Sequence, residues 1–149
     1  DGGMHVPAIM SWPGTIPPNQ VSHEIAAHID LLPTICKAAG APIPADRIID
    51  GRDVLPMVTA RAKSPHEALF WSSGGQLAAR RGNWKLVKDG FIADGTPEGQ
   101  KKLEGDDALF LSDLEQDPGE SHNRRHDQPA LADELLTLAQ RWLEEQKKN

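Results

Sequence analysis

The chain has 149 residues, 38% hydrophobic and 26% charged, with a net charge of −6 and a pI near 5.4. That length suits one average domain and leaves enough apolar content for a core, which excludes a disordered chain. The acidity gives no electrostatic footprint for nucleic acid, no run approaches the ~18 apolar residues of a membrane span, and the single cysteine, Cys36, excludes an internal disulfide framework.

The chain opens Asp1-Gly2-Gly3, with neither an initiator Met nor a leader-like region, and an apolar run follows at once. We therefore expect a portion of a longer protein. Val6 to Trp12, closed by Pro13-Gly14, has the length and composition of a strand buried on both faces. His23 to Ala27 suggests a second extended piece. Asp30 is expected to cap a helix that carries Pro33 in its first turn, Ile35, Cys36 and Ala39 on its apolar side, and Gly40 then Pro42 at its end. Residues 41–56 are Pro-rich and irregular, and a short helix is expected over Val54 to Ala60.

From residue 64 the texture changes to short strands separated by turns. Ala68 to Trp71, Gln76 to Arg80, Trp84 to Lys88 and Ala108 to Leu111 read as strands, with Ser72-Ser73-Gly74-Gly75 and Arg81-Gly82-Asn83 as hairpin connections. Residues 93–107 read as a long polar loop, and Asp117-Pro118-Gly119-Glu120 as a turn. Asp127 is expected to cap the last helix, with Pro129 in its first turn and Leu131, Leu135, Leu138 and Trp142 as one apolar stripe. Antiparallel strands with one amphipathic helix on a face make an α+β arrangement.

Seven pieces then fall in a familiar order: Asp1 to Ala8, Trp12-Pro13-Gly14, Asp30-Leu31-Leu32-Pro33-Thr34 with Ala39 to Pro42, Asp50-Gly51-Arg52-Asp53 with Leu55-Pro56, Ala68 to Trp71, Arg80 to Leu86, and Leu114 to Glu120. Together they resemble the C-terminal part of the formylglycine-dependent, arylsulfatase-like sulfatases of the alkaline-phosphatase-like superfamily. The resemblance implies that residues 1–60 are the last strand and helix of a large α/β domain, and that residues 61–149 are a small C-terminal α+β subdomain. That subdomain would hold a four-stranded antiparallel sheet with a packed C-terminal amphipathic helix.

In activity, the resemblance implies a sulfuric ester hydrolase. Its nucleophile would be a hydrated formylglycine made from Cys in a Cys-x-Pro-x-Arg setting, and calcium would be held by Asp and Asn side chains, offsetting the sulfate charge. Neither feature is expected in this chain. Cys36 lies in Ile35-Cys36-Lys37-Ala38-Ala39, without the Pro and Arg, and reads as a packing residue. No catalytic residue and no metal ligand is assigned, and the chain alone is expected to bind no cofactor and to be inactive. His122 and His126 precede the last helix and read as solvated loop residues rather than metal ligands.

Three residues are candidates for substrate contact in the whole enzyme. Lys101 and Lys102 would offer positive charge to a sulfated small molecule or glycan, and Trp71 would wall a ring. The alternatives are a phosphatase or phosphodiesterase of the same superfamily, and a non-catalytic binding or assembly module. Neither nucleic acid nor a membrane span is expected. The apolar Val6, Ile9 and Trp12 make self-association of the chain an expectation. The resemblance implies a periplasmic, secreted or lysosomal setting, which the residues themselves do not address.

Overall fold

A computed structural model describes residues 4–93 and 100–148. The chain divides into two compact units, one formed by His5–Glu67 and the other formed mainly by residues from Ala68 onward.

In the first unit the order is a 3-10 turn, His28–Asp30, running directly into helix α1, Leu31–Ala39, and then helix α2, Leu55–Thr59. Gly40 ends α1 in the left-handed conformation, φ 65°, which lets its N–H reach back to the carbonyls of Cys36 and Lys37. Pro56 sits in the first turn of α2, where its missing N–H costs no helical bond. The expected strand over Val6–Trp12 is absent: the segment lies outside every ladder, with Val6 71% and Ile9 96% exposed. The physical reason is that a strand buried in a parallel sheet takes its hydrogen bonds from neighbouring strands, and this unit has none among its described residues. His23–Ala27 is likewise irregular.

The second unit is a four-stranded antiparallel sheet in the order β1 (Leu69–Ser73), β2 (Gln76–Arg81), β3 (Trp84–Lys88), β6 (Leu109–Asp113). Gly74 and Gly75, both with positive φ, close the two-residue hairpin between β1 and β2, as tight turns that follow the strand twist require. The expected loop over 93–107 instead supplies Ala93 and β5 (Gln100–Lys102) to a second, two-stranded ribbon with β4 (Phe91–Ala93), followed by a 3-10 turn over Gly105–Ala108. The part of that loop over 94–99 lies outside the described residues.

Helix α3, Pro129–Gln146, covers one face of the sheet. Side chains alternate faces along a strand, so the register groups Phe70, Ala79, Leu86 and Leu111 on the helix side. There they meet Ala132, Leu135 and Ala139, all essentially inaccessible. The expected stripe is therefore rotated slightly: Leu131 and Leu138 flank the buried line rather than forming it. Phe70 stacks on Trp142 with centroids 5.6 Å apart. Asp127 does not cap α3; the cap position is Gln128, without a side-chain bond, and Asp127 instead accepts from Arg124.

Candidate functional site

The most organised polar centre of the first unit is Asp30, 1% exposed. It does not cap α1 forward as its sequence position suggested. Its Oδ2 accepts the Ala27 N–H at 2.8 Å, while Oδ1 accepts the Arg52 N–H and faces His66 Nε2, each at 2.8 Å. A carboxylate only accepts, so the His66 proton on that side belongs to Nε2. One helical turn later, buried Thr34 takes the Val54 N–H on its Oγ1 at 3.0 Å and donates toward the Arg52 carbonyl at 3.4 Å. The i, i+4 spacing of Asp-Leu-Leu-Pro-Thr puts both side chains on one helix face. Asp30 and Thr34 thus clamp the backbone of residues 52–54, supplying the bonds that a neighbouring strand would otherwise give. Gly51 permits the approach, because a Cβ there would stand 2.1 Å from the Ile29 carbonyl oxygen.

A strap of residues 61–67 lies along residues 20–30 through side chains. Arg61 donates to Gln20, Lys63 and the Ser64 N–H donate to Glu24, the Ser64 hydroxyl donates to the Ile25 carbonyl at 2.6 Å, and His66 reaches Asp30. The Lys63 ammonium and then the Ser64 N–H hold the Glu24 carboxyl below its ordinary range. Neither the clamp nor the strap brings a nucleophile, a base and an electrophilic group together. They are scaffold.

In the second unit the sheet face away from α3 carries Leu69, Arg80, Lys85 and Ser112 in one cross-strand row and Trp71, Ala78, Val87 and Phe110 in the next. Lys85 pairs with Glu120 at 2.9 Å, both largely buried. The Ser112 hydroxyl is buried with no hydrogen-bond partner among the described residues. Trp71 is half-buried on this face and so lies outside the core under α3. Lys102 is exposed on β5, opposite Phe91 of β4. Lys101 pairs through its backbone with Ile92, and its side chain lies outside the described ones. The structure therefore puts Lys102 on the ribbon and Trp71 on β1 of the sheet, and no described contact joins them. The sequence reading missed Phe91, a large exposed aromatic whose signal was hidden because β4 and β5 are only three residues each.

Among the described residues no group of three or more His, Cys, Asp or Glu comes together to hold a metal ion. The donors present do not fit a calcium site, which needs six to eight oxygens. Cys36 is half-buried on α1 with a free thiol. His122 and His126 are exposed and point to separate carboxylates, Asp117 at 3.4 Å and Asp106 at 3.5 Å. No helix among the described residues is long and apolar enough to cross a membrane.

Residues 1–73 match the family model described as N-sulphoglucosamine sulphohydrolase, C-terminal. Human arylsulfatase A is 35% identical over 83% of this chain and 26% of its own length. The chain resembles the C-terminal part of the sulfatases. Human steryl-sulfatase is 44% identical over 54% of this chain and 14% of its own length. A solved sulfatase-type structure from a Bacteroides thetaiotaomicron locus for the metabolism of multiple glycosaminoglycans superposes with a TM-score of 0.64 at 25% identity, covering 93% of this chain and 28% of that one. The chain thus spans about a quarter of the length of human arylsulfatase A, and the part of the family it matches is the C-terminal one. The α+β sheet-and-helix unit read from the sequence is the fold found here, and it superposes on that solved structure.

Proposed function

We propose that this chain is the C-terminal scaffold of a sulfuric ester hydrolase, whose parent protein cleaves a sulfate ester with chemistry housed in its remaining part. The observation that carries the reading is the match of most of the chain to arylsulfatase A, 35% identical across 136 residues. Residues 1–60 then form the last portion of an alkaline-phosphatase-like domain, and residues 61–149 a small subdomain. In this reading formylglycine and calcium belong to the remaining part of the parent. Trp71, Lys101 and Lys102 are substrate contacts in this reading: a ring wall and positive charge for a sulfated molecule.

The test uses the full-length parent and the 149-residue chain side by side. The parent is expected to release sulfate from 4-nitrophenyl sulfate, and the chain alone to release none. A parent that hydrolyses only 4-nitrophenyl phosphate would overturn the reaction class. Turnover by the chain alone would overturn its assignment as scaffold.

A further inference from the structure

The two long edges of the four-stranded sheet are finished differently. Antiparallel partners exchange hydrogen bonds at every second position, and a two-residue hairpin closes on a bonded pair. Counted from the closing pair Ser73–Gln76, Trp71–Ala78 and Leu69–Arg80 are also bonded, so the N–H and C=O of Phe70 and Ser72 turn outward from β1. The same alternation, counted from Arg81–Trp84, turns Leu109, Leu111 and Asp113 outward from β6. That far edge is sealed. Asn123 accepts the Leu111 N–H on Oδ1 and donates Nδ2 to the Leu109 carbonyl, each at 3.1 Å. The N–H groups of Arg124 and Asp117 donate to the carbonyls of Leu111 and Asp113 at 2.8 and 2.7 Å. Among the described residues nothing bonds to the outward groups of β1.

β1 also lacks the Lys, Pro or bulge that usually keeps a free edge from pairing. It is the only strand of this sheet without a charged residue. Of the chain's four Trp and three Phe, Phe70, Trp71 and Trp142 gather here, and none is fully buried. Phe70 and Trp142 stack on the helix side, and Trp71 lies on the other face. Half-buried aromatics around four outward backbone groups are the composition of an interface rather than of a finished edge.

We propose that β1 pairs with β1 of a second copy of this chain, antiparallel about a two-fold axis through Trp71. The register decides the occupant. With the axis there, Phe70 of each copy lies opposite Ser72 of the other, and the two bonded pairs form four N–H···O=C bonds that use every outward group of both residues. Trp71 meets its own counterpart at a non-bonded position, where cross-strand side chains come closest. No charge of β1 opposes a like charge, although each copy carries −6. The pairing is isologous, so it closes at two copies. The six half-buried aromatic side chains it brings together expose on the order of 600 Å² between them. That falls short of the ~1,200 Å² of a lasting interface, so the pair is reversible and depends on concentration.

The test follows the 149-residue chain across concentration by amide hydrogen exchange and sedimentation velocity. A pair with a Kd on the order of 0.1 mM is about four-fifths formed at about 1 mM chain and little formed at about 10 μM. The Phe70 and Ser72 amides should therefore exchange about 4-fold more slowly at the higher concentration, while Leu111, sealed by Asn123, exchanges at one rate throughout. Ser72→Lys puts a charge on the edge, and Ser72→Pro removes an N–H that the β1–β2 ladder does not use. In each variant the Phe70 amide should lose its concentration dependence while Ala79, inside the sheet, keeps wild-type protection. Where Pro lowers Ala79 protection, the Lys variant decides. Exchange at Phe70 and Ser72 that ignores concentration overturns the pairing, and so does slowing at Phe70 that survives Ser72→Lys. A rise in mass without slowing at these two amides also overturns it, and assigns association to the exposed apolar residues of the first unit.

Discussion

Asp30 sets the sharpest test of the clamp, because its two oxygens have different duties. Replacing it with Ala strips three bonds at once from the Ala27 N–H, the Arg52 N–H and His66. Each buried donor left without its acceptor costs about 1–3 kcal/mol, so losing three at once costs more than any single one. Asn keeps the shape and one acceptor. Its carbonyl can serve Arg52 and His66 together, leaving the amide nitrogen facing the Ala27 N–H, donor against donor. That loses one bond and leaves one buried N–H unsatisfied, about 1–3 kcal/mol. The expected order of stability is wild type, then Asp30→Asn, then Asp30→Ala. Urea unfolding gives the totals, and amide hydrogen exchange gives the location: Asn should expose Ala27 and spare Arg52, whereas Ala should expose both. Equal midpoints for the two variants, or Arg52 protection unaffected by Ala, would refute the hub.

Gly51→Ala should cost more than the ~1–3 kcal/mol of an overpacked core, since the new methyl meets backbone rather than a yielding side chain; a wild-type urea midpoint would show that the approach is not rigid. Leu135→Ala removes a fully buried side chain between α3 and the sheet and should cost about 2–5 kcal/mol, read from urea unfolding followed by near-UV circular dichroism; a loss under ~1 kcal/mol would contradict the packing. Glu24 is held below its ordinary range by Lys63, then by the Ser64 N–H. In Asp117, burial would raise the carboxyl, but the N–H groups of His122 and Ser121 outweigh it. A carboxyl depressed in the folded state stabilises fully above its unfolded value and loses that contribution as pH falls through the folded one, so Glu24→Gln and Asp117→Asn should flatten the acid limb of stability below about pH 4–5, and wild-type slopes in both would refute this. With Val6, Ile9 and the α1 residues Leu31, Leu32 and Ile35 exposed, the isolated chain should scatter light above monomer mass; a monodisperse monomer would refute the self-association.

The second unit was the more legible in sequence, because its strands and α3 are held by contacts close along the chain. Gly74-Gly75 and Gly82 mark the hairpins, the alternation of Leu77, Ala79 and Arg81 marks a half-buried strand, and Leu135 lies at the centre of the helix stripe. Three-residue strands carry too little alternation to read, so β5 passed for loop and β4 went unread. The first unit failed where a pattern depends on partners. Val6–Trp12 has the composition of a strand, but a strand exists only where another lies beside it. Asp30 was expected to cap, and a carboxylate at a helix start does look like a cap in sequence. Two of its three partners, Arg52 and His66, are 22 and 36 residues away, beyond any local rule.

The residues that make the first unit resemble a sulfatase do a particular kind of work. Asp30, Thr34 and Gly51 all recognise backbone: two supply hydrogen bonds to residues 52–54, and one leaves room for the approach. Such motifs report a fold, and a fold does not determine which ester is cut. The ribbon is built the other way. Phe91 and Lys102 lie on its surface, where burial contributes little, and its anchoring falls to Leu103, Gly90 and the Asp89 N–H. Substitutions at the clamp should move unfolding midpoints, and through them the amount of folded enzyme. Substitutions at Phe91 and Lys102 should leave the midpoint in place. A variant of Phe91 that lowered the midpoint as far as Asp30→Asn does would collapse that distinction, because the ring would then belong to the core.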